Sequence, residues 1–502
     1  MRTSLVTAPS PWLRAAAALT WPSGVLIDGE LRPSASERAF TIVSPRDGAP
    51  LVEIGDGAAA DVDRAVAAAR AAFDDGRWSR AAAIERGRVL IRFGDLVAAR
   101  AEELALRICL EMGKPVQDAL GVELRAIAQT LRWYGQLADK LSDEAPLGTP
   151  DAVALVTHEP AGVVGAVVPW NFPLTMTGWK LGPALAAGNS VVLKPAEQTS
   201  ASALVLGEIA LEAGLPAGVL NVVPGRGDIV GEALGRHPDV DVIAFTGSVA
   251  VGRRFLGYAA ESNGKRVWPE LGGKSASVVL PDADLAAAGR TTAWGSFYNQ
   301  GQMCSAASRM VVLREVHDAA VEAAVAQAAA MAPGDPLSGD AALGAVVSET
   351  QLAKILGLVE RALADGATLA AGTGERHDIG TGRGSYVEPM VLTGVRPDME
   401  IAQQEVFGPV LSVIAVDTVD AAIDVANGTR FGLGAGLWTR DLAAAHRLSR
   451  RLRAGTVWVN CWEEGDMSMP FGGVGDSGFG RDKGAHAIDK YVDVKSTWIE
   501  LG

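Results

Sequence analysis

The stretch VVGAVVPWNFPLTMTGWKLGPALAAGNSVVLKP, residues 163–195, sets two short runs of β-branched and small apolar residues on either side of a helical pattern. VVGAVVP (163–169) and NSVVLKP (189–195) read as strands, and residues 181–187 between them read as helix. Such runs are apolar on both faces, which suits a strand whose sheet is covered by helices on both sides. Moving outward, a helical pattern at 201–213 leads to VLNVVPG (219–225) and VDVIAFTGS (240–248), two further strands. The alternation predicts an α/β fold on a parallel, doubly wound sheet. A ligand of such a sheet lies beyond the carboxyl ends of its strands.

Upstream, LIDGELRP (26–33) reads as a hairpin turning at Asp28-Gly29. Val62, Val66, Ala69 and Phe73 then recur at helical spacing behind Asp61, a candidate cap. Two more helices are expected over 79–111 and 115–139, together covering one side of the sheet. Downstream of ELGGKSASVVLPDAD (270–284), a second cycle places strands at 310–313 and near 387 and 410, helices at 315–331, 350–364, 418–427 and 441–453, and then GTVWVN (455–460). This is enough for a second α/β unit. The tail YVDVKSTWIEL (491–501) alternates roughly and reads as an added interface strand or an ordinary surface strand.

A chain of 502 residues exceeds one ordinary hydrophobic core, and its 48 % hydrophobic residues supply material for several. The net charge of −14 and the absence of a long basic run argue against nucleic acid. No uninterrupted run of about 18 apolar residues suggests a membrane span. The opening MRTSLVTAPSPWLRAAAALTWPS reads as an N-terminal arm, since it lacks the apolar core of a secretory signal. Cysteines at 109, 304 and 461 cannot build a disulfide framework, so a reducing, cytoplasmic location is expected. The six histidines are dispersed, with no compact ligand set, and no metal is expected. Cys109 reads as a buried helical residue, and Cys461 as either a pocket residue or a packing partner of Trp462.

Chemistry enters through several loops. IAFTGSVAVG (243–252) places Gly247, Ser248 and Gly252 at a strand-to-helix transition, where backbone N–H groups can meet pyrophosphate. Its G-x-x-x-x-G spacing departs from the usual dinucleotide fingerprint, so a structural turn fits it equally. In VLKPAEQTS (192–200), Lys194 and Glu197 follow a buried strand. A carboxylate there accepts both ribose hydroxyls and repels a 2′-phosphate, favouring NAD over NADP; a salt-bridged loop is the alternative. Asn171 in VVPWNFP (167–173) offers an amide to an oxyanion or simply packs in a turn. Glu270 in PELGGKSA (269–276), before a glycine pair, is a candidate general base or a solvated loop residue. NQGQMCSAAS (299–308) adds Cys304, whose thiolate can attack an aldehyde carbonyl.

Taken together, PWNFP, KPAEQT, FTGSVAVG, ELGGKS, NQGQMC, QEVFGPV and PFGGVGDSGFGRDKG, in this order, resemble the NAD(P)-dependent aldehyde dehydrogenase superfamily across nearly the whole chain. The resemblance implies an aldehyde dehydrogenase-like α/β fold. Residues 1–139 and 160–270 would form a Rossmann-like NAD-binding domain, and 271–480 a second α/β catalytic domain. Residues 140–159 and 486–502 would form a small β oligomerisation element of a homodimer or homotetramer. It assigns Cys304 as nucleophile, Asn171 with the Cys304 N–H as oxyanion donors, and Glu270 as the base for deacylation. Lys194 and Glu197 match adenosine-ribose contacts, Ser248 lies by the pyrophosphate, and Glu405 and Phe407 match residues that position the nicotinamide ribose and ring. Trp170, Gly227, Phe245, Gly247 and Gly252 complete the expected cofactor set. One departure is Gly475, where many members carry lysine.

For the aldehyde itself, Phe172, Met176, Trp179, Tyr298 and Trp462 are expected to form an apolar, aromatic passage, with Met303 and Ser305 flanking the nucleophile. Glu463, Glu464 and Asp466, with Glu123 from an earlier helix, would give it an acidic mouth that attracts an ammonium; a solvated acidic loop reads equally well. WEEGDMSMPFGG, GRDKG and DVKSTWIEL resemble the bacterial branch acting on γ-glutamylamino-butanal and related ω-aminoaldehydes. A broad aliphatic or aromatic aldehyde dehydrogenase is the main alternative, and a catalytically silent ligand-binding relative the remote one.

Overall fold

The computed structural model describes residues 10–502, so the first nine residues of the N-terminal arm lie outside the described residues. The remainder of that arm includes a short helix, Pro11–Ala17, with Ser10 as its N-cap. Two seven-stranded sheets follow. The first runs Arg266–Glu270, Val242–Thr246, Val163–Val167, Ser190–Lys194, Leu220–Val222, then the hairpin Val25–Ile27 and Glu30–Arg32. The first five of these pair in parallel and the hairpin closes the other edge antiparallel. The hairpin turns as read, with Asp28 at φ 52° and Gly29 at φ 78°.

The helix after Val163–Val167 is longer than its sequence pattern suggested, running Pro173–Ala187 with proline at its start and Gly188 in the left-handed conformation at its end. It is buried all round, so an amphipathic stripe cannot mark its limits. Asp61 is the third residue of the helix Ala59–Asp74 and not its cap; its carboxylate reaches back to the Ala58 N–H at 3.0 Å. The expected helix over 79–111 breaks at Arg100 into Ala83–Ala99 and Ala101–Met112. That over 115–139 contains a π-helical turn, Ala119–Leu124, before Arg125–Leu137.

The second sheet runs Thr368–Ala371, Met390–Thr393, Val410–Val416, Arg309–Leu313, Ala276–Val279, Gly434–Trp438 and Thr456–Val459, parallel except at the first pair. The link between the sheets is short: Glu270 ends a strand of the first and Ala276 begins a strand of the second. Residues at the carboxyl ends of the first sheet therefore meet loops that enter the amino ends of the second. A separate ribbon pairs Ala152–Pro160 with Val492–Glu500 along nine residues. Among the described residues no helix is long and apolar enough to cross a membrane.

Candidate active site

Three carboxyl ends of the first sheet converge on one pocket of 220 Å³, which Cys304 also lines. Beyond Val163–Val167 come Trp170, Asn171 and Phe172; beyond Val242–Thr246 come Gly247 and Ser248; beyond Arg266–Glu270 come Leu271 and Gly272. This is the strand-order switch point, with neighbours of Val163–Val167 lying on opposite sides of it. Asn171 is buried, and its Nδ2 donates to the Gln302 carbonyl at 3.0 Å. The amide thus faces the loop that carries Cys304.

That loop is bent by three successive left-handed residues, Asn299, Gln300 and Gly301, with φ of 53°, 57° and 66°. A side chain at Gly301 would place its Cβ 2.1 Å from the backbone carbonyl of Gly408, so only glycine fits the approach. The Gln302 side-chain oxygen accepts from the Val347 N–H at 2.9 Å and pins the loop beneath Cys304. Cys304 itself is partly exposed. Enclosure of its sulfur pushes the thiol well above the ordinary cysteine range, and the carboxylates of Glu463, Glu405 and Glu270 push in the same direction.

Glu270 is not a solvated loop residue, and it does not line this pocket. It is the last residue of a buried strand and is 4 % exposed. Its Oε1 has no hydrogen-bond partner among the described residues and points toward Gly472 and Gly480, where added Cβ atoms would lie 2.5 and 3.5 Å away. Burial raises its pKa well above the carboxylate range, and nearby Asp482 adds to the rise. Lys180 and Lys490, both paired with Asp482, pull in the opposite direction. The glycine pair after Glu270 serves other neighbours. A Cβ on Gly272 would fall 2.2 Å from a Glu405 carboxylate oxygen, and one on Gly273 would fall 2.5 Å from the Cys304 carbonyl oxygen.

The predicted cofactor residues separate into those on the pocket or in an outlying polar patch and those packed behind it. Lys194 Nζ lies 3.6 Å from Glu197 Oε1, and the same oxygen accepts from the Gly227 N–H at 2.8 Å, so these three form one polar patch. Ser248 caps the helix Val249–Ala260 and lines the pocket with Gly247. The Gly247 N–H donates to the Glu270 carbonyl at 3.1 Å and continues the sheet ladder. Gly252 is a packing residue, since a Cβ there would meet Leu271 Cδ2 at 2.6 Å. Phe245 does not reach the pocket: it is 3 % exposed, packs on Phe255 at 5.0 Å, and would clash with any side chain at Gly247.

Glu405 accepts from the Gly273 N–H at 3.0 Å, and Phe407, at φ 56°, meets the Trp170 ring edge-on at 5.3 Å. Both line the pocket, as do Gln351 and Lys354, which the sequence reading missed. These two come from the helix Glu349–Ala364, and Gln351 Nε2 donates to the Phe407 carbonyl at 2.8 Å. Their only local signal is an amphipathic helix capped by Ser348.

On the substrate side, Phe172 and Met176 line the pocket. Trp179, one turn further along the same helix, lies 5.4 Å from Phe471 and 5.9 Å from the Lys483 ammonium. Tyr298 stacks on Trp294 at 5.1 Å, and its hydroxyl, buried without a partner among the described residues, has its pKa raised by that burial. Met303 and Ser305 are buried on either side of Cys304. Glu463 sits close enough to be the foremost charged influence on Cys304; burial raises its own pKa, against the Ser305 hydroxyl and Lys483.

Of the expected substrate residues only Phe172 and Met176 line the pocket itself, and two of the others are turned wholly into the interior. Trp462 is 2 % exposed and packs on Trp458 at 5.0 Å, its ring filling the space above Gly295 and Gly436, with Cys461 beside it. Glu123 is wholly buried in an ion pair with Lys114 and accepts from the Leu174 N–H at 2.9 Å. Residue type does not say which way a side chain turns, and the packing turns both inward. Gly475, in the left-handed conformation at φ 61°, occupies a turn whose next residue, Asp476, pairs with Arg253 at 2.9 Å.

A cysteine and a side-chain amide at the switch point of a doubly wound sheet, facing a second α/β unit across two glycines, define an oxidoreductase-type nucleotide and thiol site. Comparison gives it a family: the chain matches the sequence profile of the aldehyde dehydrogenase family over residues 31–497, and it belongs to that family. It is 46 % identical to the aminoacetaldehyde dehydrogenase of Pseudomonas aeruginosa over 97 % of each chain. Among solved structures, the indole-3-acetaldehyde dehydrogenase of P. syringae in complex with NAD+ and IAA superposes with a TM-score of 0.96 at 48 % identity, covering 98 % of this chain and 99 % of that one. The γ-glutamyl-γ-aminobutyraldehyde dehydrogenase of Burkholderia cenocepacia J2315 gives a TM-score of 0.95 at 50 % identity, with the same coverage.

Proposed function

We propose that this NAD-dependent aldehyde dehydrogenase converts a range of aldehydes to carboxylic acids through Cys304. The observation that carries the reading is the single pocket in which Cys304, Asn171, Ser248, Glu405 and Phe407 meet. The polar patch of Lys194, Glu197 and Gly227 fits an adenosine ribose, and the Ser248 helix start fits a pyrophosphate. Gln351, Lys354 and Glu405 fit the second ribose beside Cys304. NAD, when bound there, supplies the two-electron acceptor.

The protein's own groups supply the rest. The Cys304 thiolate forms a bond to the aldehyde carbon, and the Asn171 amide with the Cys304 N–H stabilises the oxygen as it gains charge. Loss of two electrons and the aldehyde hydrogen leaves a thioester on Cys304. Glu270 takes a proton from water, which attacks the thioester; the acid departs and the thiolate is restored. Phe407, Trp170 and Phe172 exclude bulk water from the reacting centre.

Relatives of similar identity carry names with three different aldehydes, aminoacetaldehyde, indole-3-acetaldehyde and γ-glutamyl-γ-aminobutyraldehyde. That spread supports broad specificity over the γ-glutamylamino-butanal preference. The burial of Glu123 and Trp462 weakens the acidic, aromatic mouth expected to attract an ammonium. Glu463 beside Cys304 is the observation that keeps a nitrogen-bearing aldehyde as the second reading. Within this reading residues 1–139 and 160–270 hold the cofactor, 271–480 carry the nucleophile, and the ribbon of 140–159 and 486–502 joins subunits.

The test is Cys304→Ala, followed by absorbance of NADH with aldehyde added and omitted. Oxidation should be abolished while NAD still binds; steady turnover by this variant would sink the assignment. Glu270→Gln should retain a first burst of NADH and slow acid release, and an acid-release rate equal to the parent's would remove Glu270 as the base. Hexanal, benzaldehyde, aminobutanal and its γ-glutamyl derivative should all be oxidised, whereas exclusive use of the nitrogen-bearing pair would favour the second reading.

A further inference from the structure

Asn171 can serve a developing oxyanion only if its backbone is fixed, and that backbone is gripped from several directions. Its carbonyl oxygen accepts from Lys114 Nζ at 3.1 Å and from Asn299 Nδ2 at 3.1 Å. The Lys114 ammonium also sits 3.8 Å from the centroid of the next ring, Phe172. Its partner Glu123 holds the residues that follow, accepting from Leu174 N–H at 2.9 Å and Thr175 N–H at 3.3 Å in the first turn of Pro173–Ala187. One buried pair therefore fastens the chain at Asn171 and through the first turn of the helix that follows it.

Neither residue reaches the pocket that holds Cys304, and both are fully enclosed, Lys114 at 1 % and Glu123 at 0 % exposure. A buried ion pair is a poor source of stability, because desolvation offsets most of its attraction. Its value must then lie in what it orients. The local structure is specialised for that purpose: Gly113, at φ 82°, ends the helix Ala101–Met112 and turns the chain into Lys114, and the π-helical turn Ala119–Leu124 swings Glu123 inward. π-Turns concentrate where a side chain is aimed at a functional site.

We propose that the Lys114–Glu123 pair is a positioning device for the Asn171 amide, holding it in register with Cys304 without touching substrate or cofactor. The proposal rests on the reading of Asn171 as an oxyanion donor. Two groups gripping one carbonyl, with a carboxylate locking the adjacent helix start, limit the drift of Nδ2; a displacement of about 1 Å at a reacting centre costs about a hundredfold in rate.

The experiment uses the full chain and four proteins: parent, N171A, K114M/E123Q, and the triple combination. Pairing the two substitutions avoids stranding a buried charge, and the amide oxygen that E123Q introduces can still accept from the Leu174 N–H. Rapid mixing with hexanal reads the first-turnover rate of NADH formation, with NAD affinity and thermal midpoint measured in parallel. K114M/E123Q should slow the first turnover about tenfold or more, with NAD affinity retained, and should cause no further loss when N171A is already present. A first-turnover rate equal to the parent's, or a loss that multiplies with that of N171A, would overturn the proposal. Should K114M/E123Q fail to fold, K114Q/E123Q removes both charges while leaving polar groups in the enclosed space, and the same comparison with N171A applies. Parent-like turnover in N171A itself would remove the oxyanion reading and the device with it, whereas a slow N171A beside a parent-like K114M/E123Q would remove the device alone.

Discussion

Cys304 and Glu270 share an unusual condition: each is held in its protonated form to higher pH than a free thiol or carboxyl, chiefly by burial. In the proposed mechanism the reacting forms are the deprotonated ones. A raised pKa delays their appearance, so reactivity should climb as pH rises and fade as it drops. In the protein without cofactor, alkylation of Cys304 by iodoacetamide should be slower at neutral pH than that of free cysteine and should still be accelerating at alkaline pH, as followed by peptide mass spectrometry. Alkylation at the free-cysteine rate would show an activated thiolate at rest. Cys304 and Asn171 were both legible in the sequence through the ordered set of motifs to which PWNFP and NQGQMC belong, since Asn171 by itself reads as well as a packed turn. Trp462 was not, because chain proximity to an acidic loop does not say which way a ring turns; the space above Gly295 and Gly436 decided that.

Three elements are tied together behind Glu270. Asp482 is paired with Lys180 from the helix Pro173–Ala187 and with Lys490 from the 3₁₀ turns of Ala485–Tyr491, all three buried. Asp482→Asn would leave two ammonium groups in the interior without their anion and should cost about 3–5 kcal/mol of stability, read from denaturant unfolding. It has a second consequence for the base. Asp482 raises the pKa of Glu270 while both lysines lower it, so removing the carboxylate leaves only the lowering influence of these three charges. The acid limb of thioester hydrolysis should therefore move to lower pH in Asp482→Asn, and an unmoved limb would show that another group controls that step. Periodicity showed only the later part of the helix that carries Lys180 and nothing of the turns that carry Lys490, and the π-turn that buries Glu123 was not legible either. An inserted residue within a helical turn leaves no compositional mark, and its effect is a rotation that only the packed neighbours Lys114 and Leu174 reveal.

At the scale of the molecule, the ribbon of Ala152–Pro160 and Val492–Glu500 stands outside both sheets as a two-stranded element. Val494 and Trp498 point to the same face of its last strand and are 65 % and 58 % exposed. An apolar face with unpaired edge groups is suited to burial against another copy of the chain. Changing both residues to lysine should lower the solution mass toward that of one chain in light scattering, and an unchanged mass would take this face out of the assembly interface. Sequence alone determined the alternation of strands and helices, the two α/β units and the residues able to do thiol chemistry, since all of these depend on local pattern and residue type. Tertiary structure decided which of them meet: it brought Gln351 and Lys354 to the pocket from a separate helix, and it withdrew Phe245, Trp462 and Glu123 into the interior. The reason is physical, because a pocket is formed by residues distant in the chain whose directions are set by what fills the space behind them.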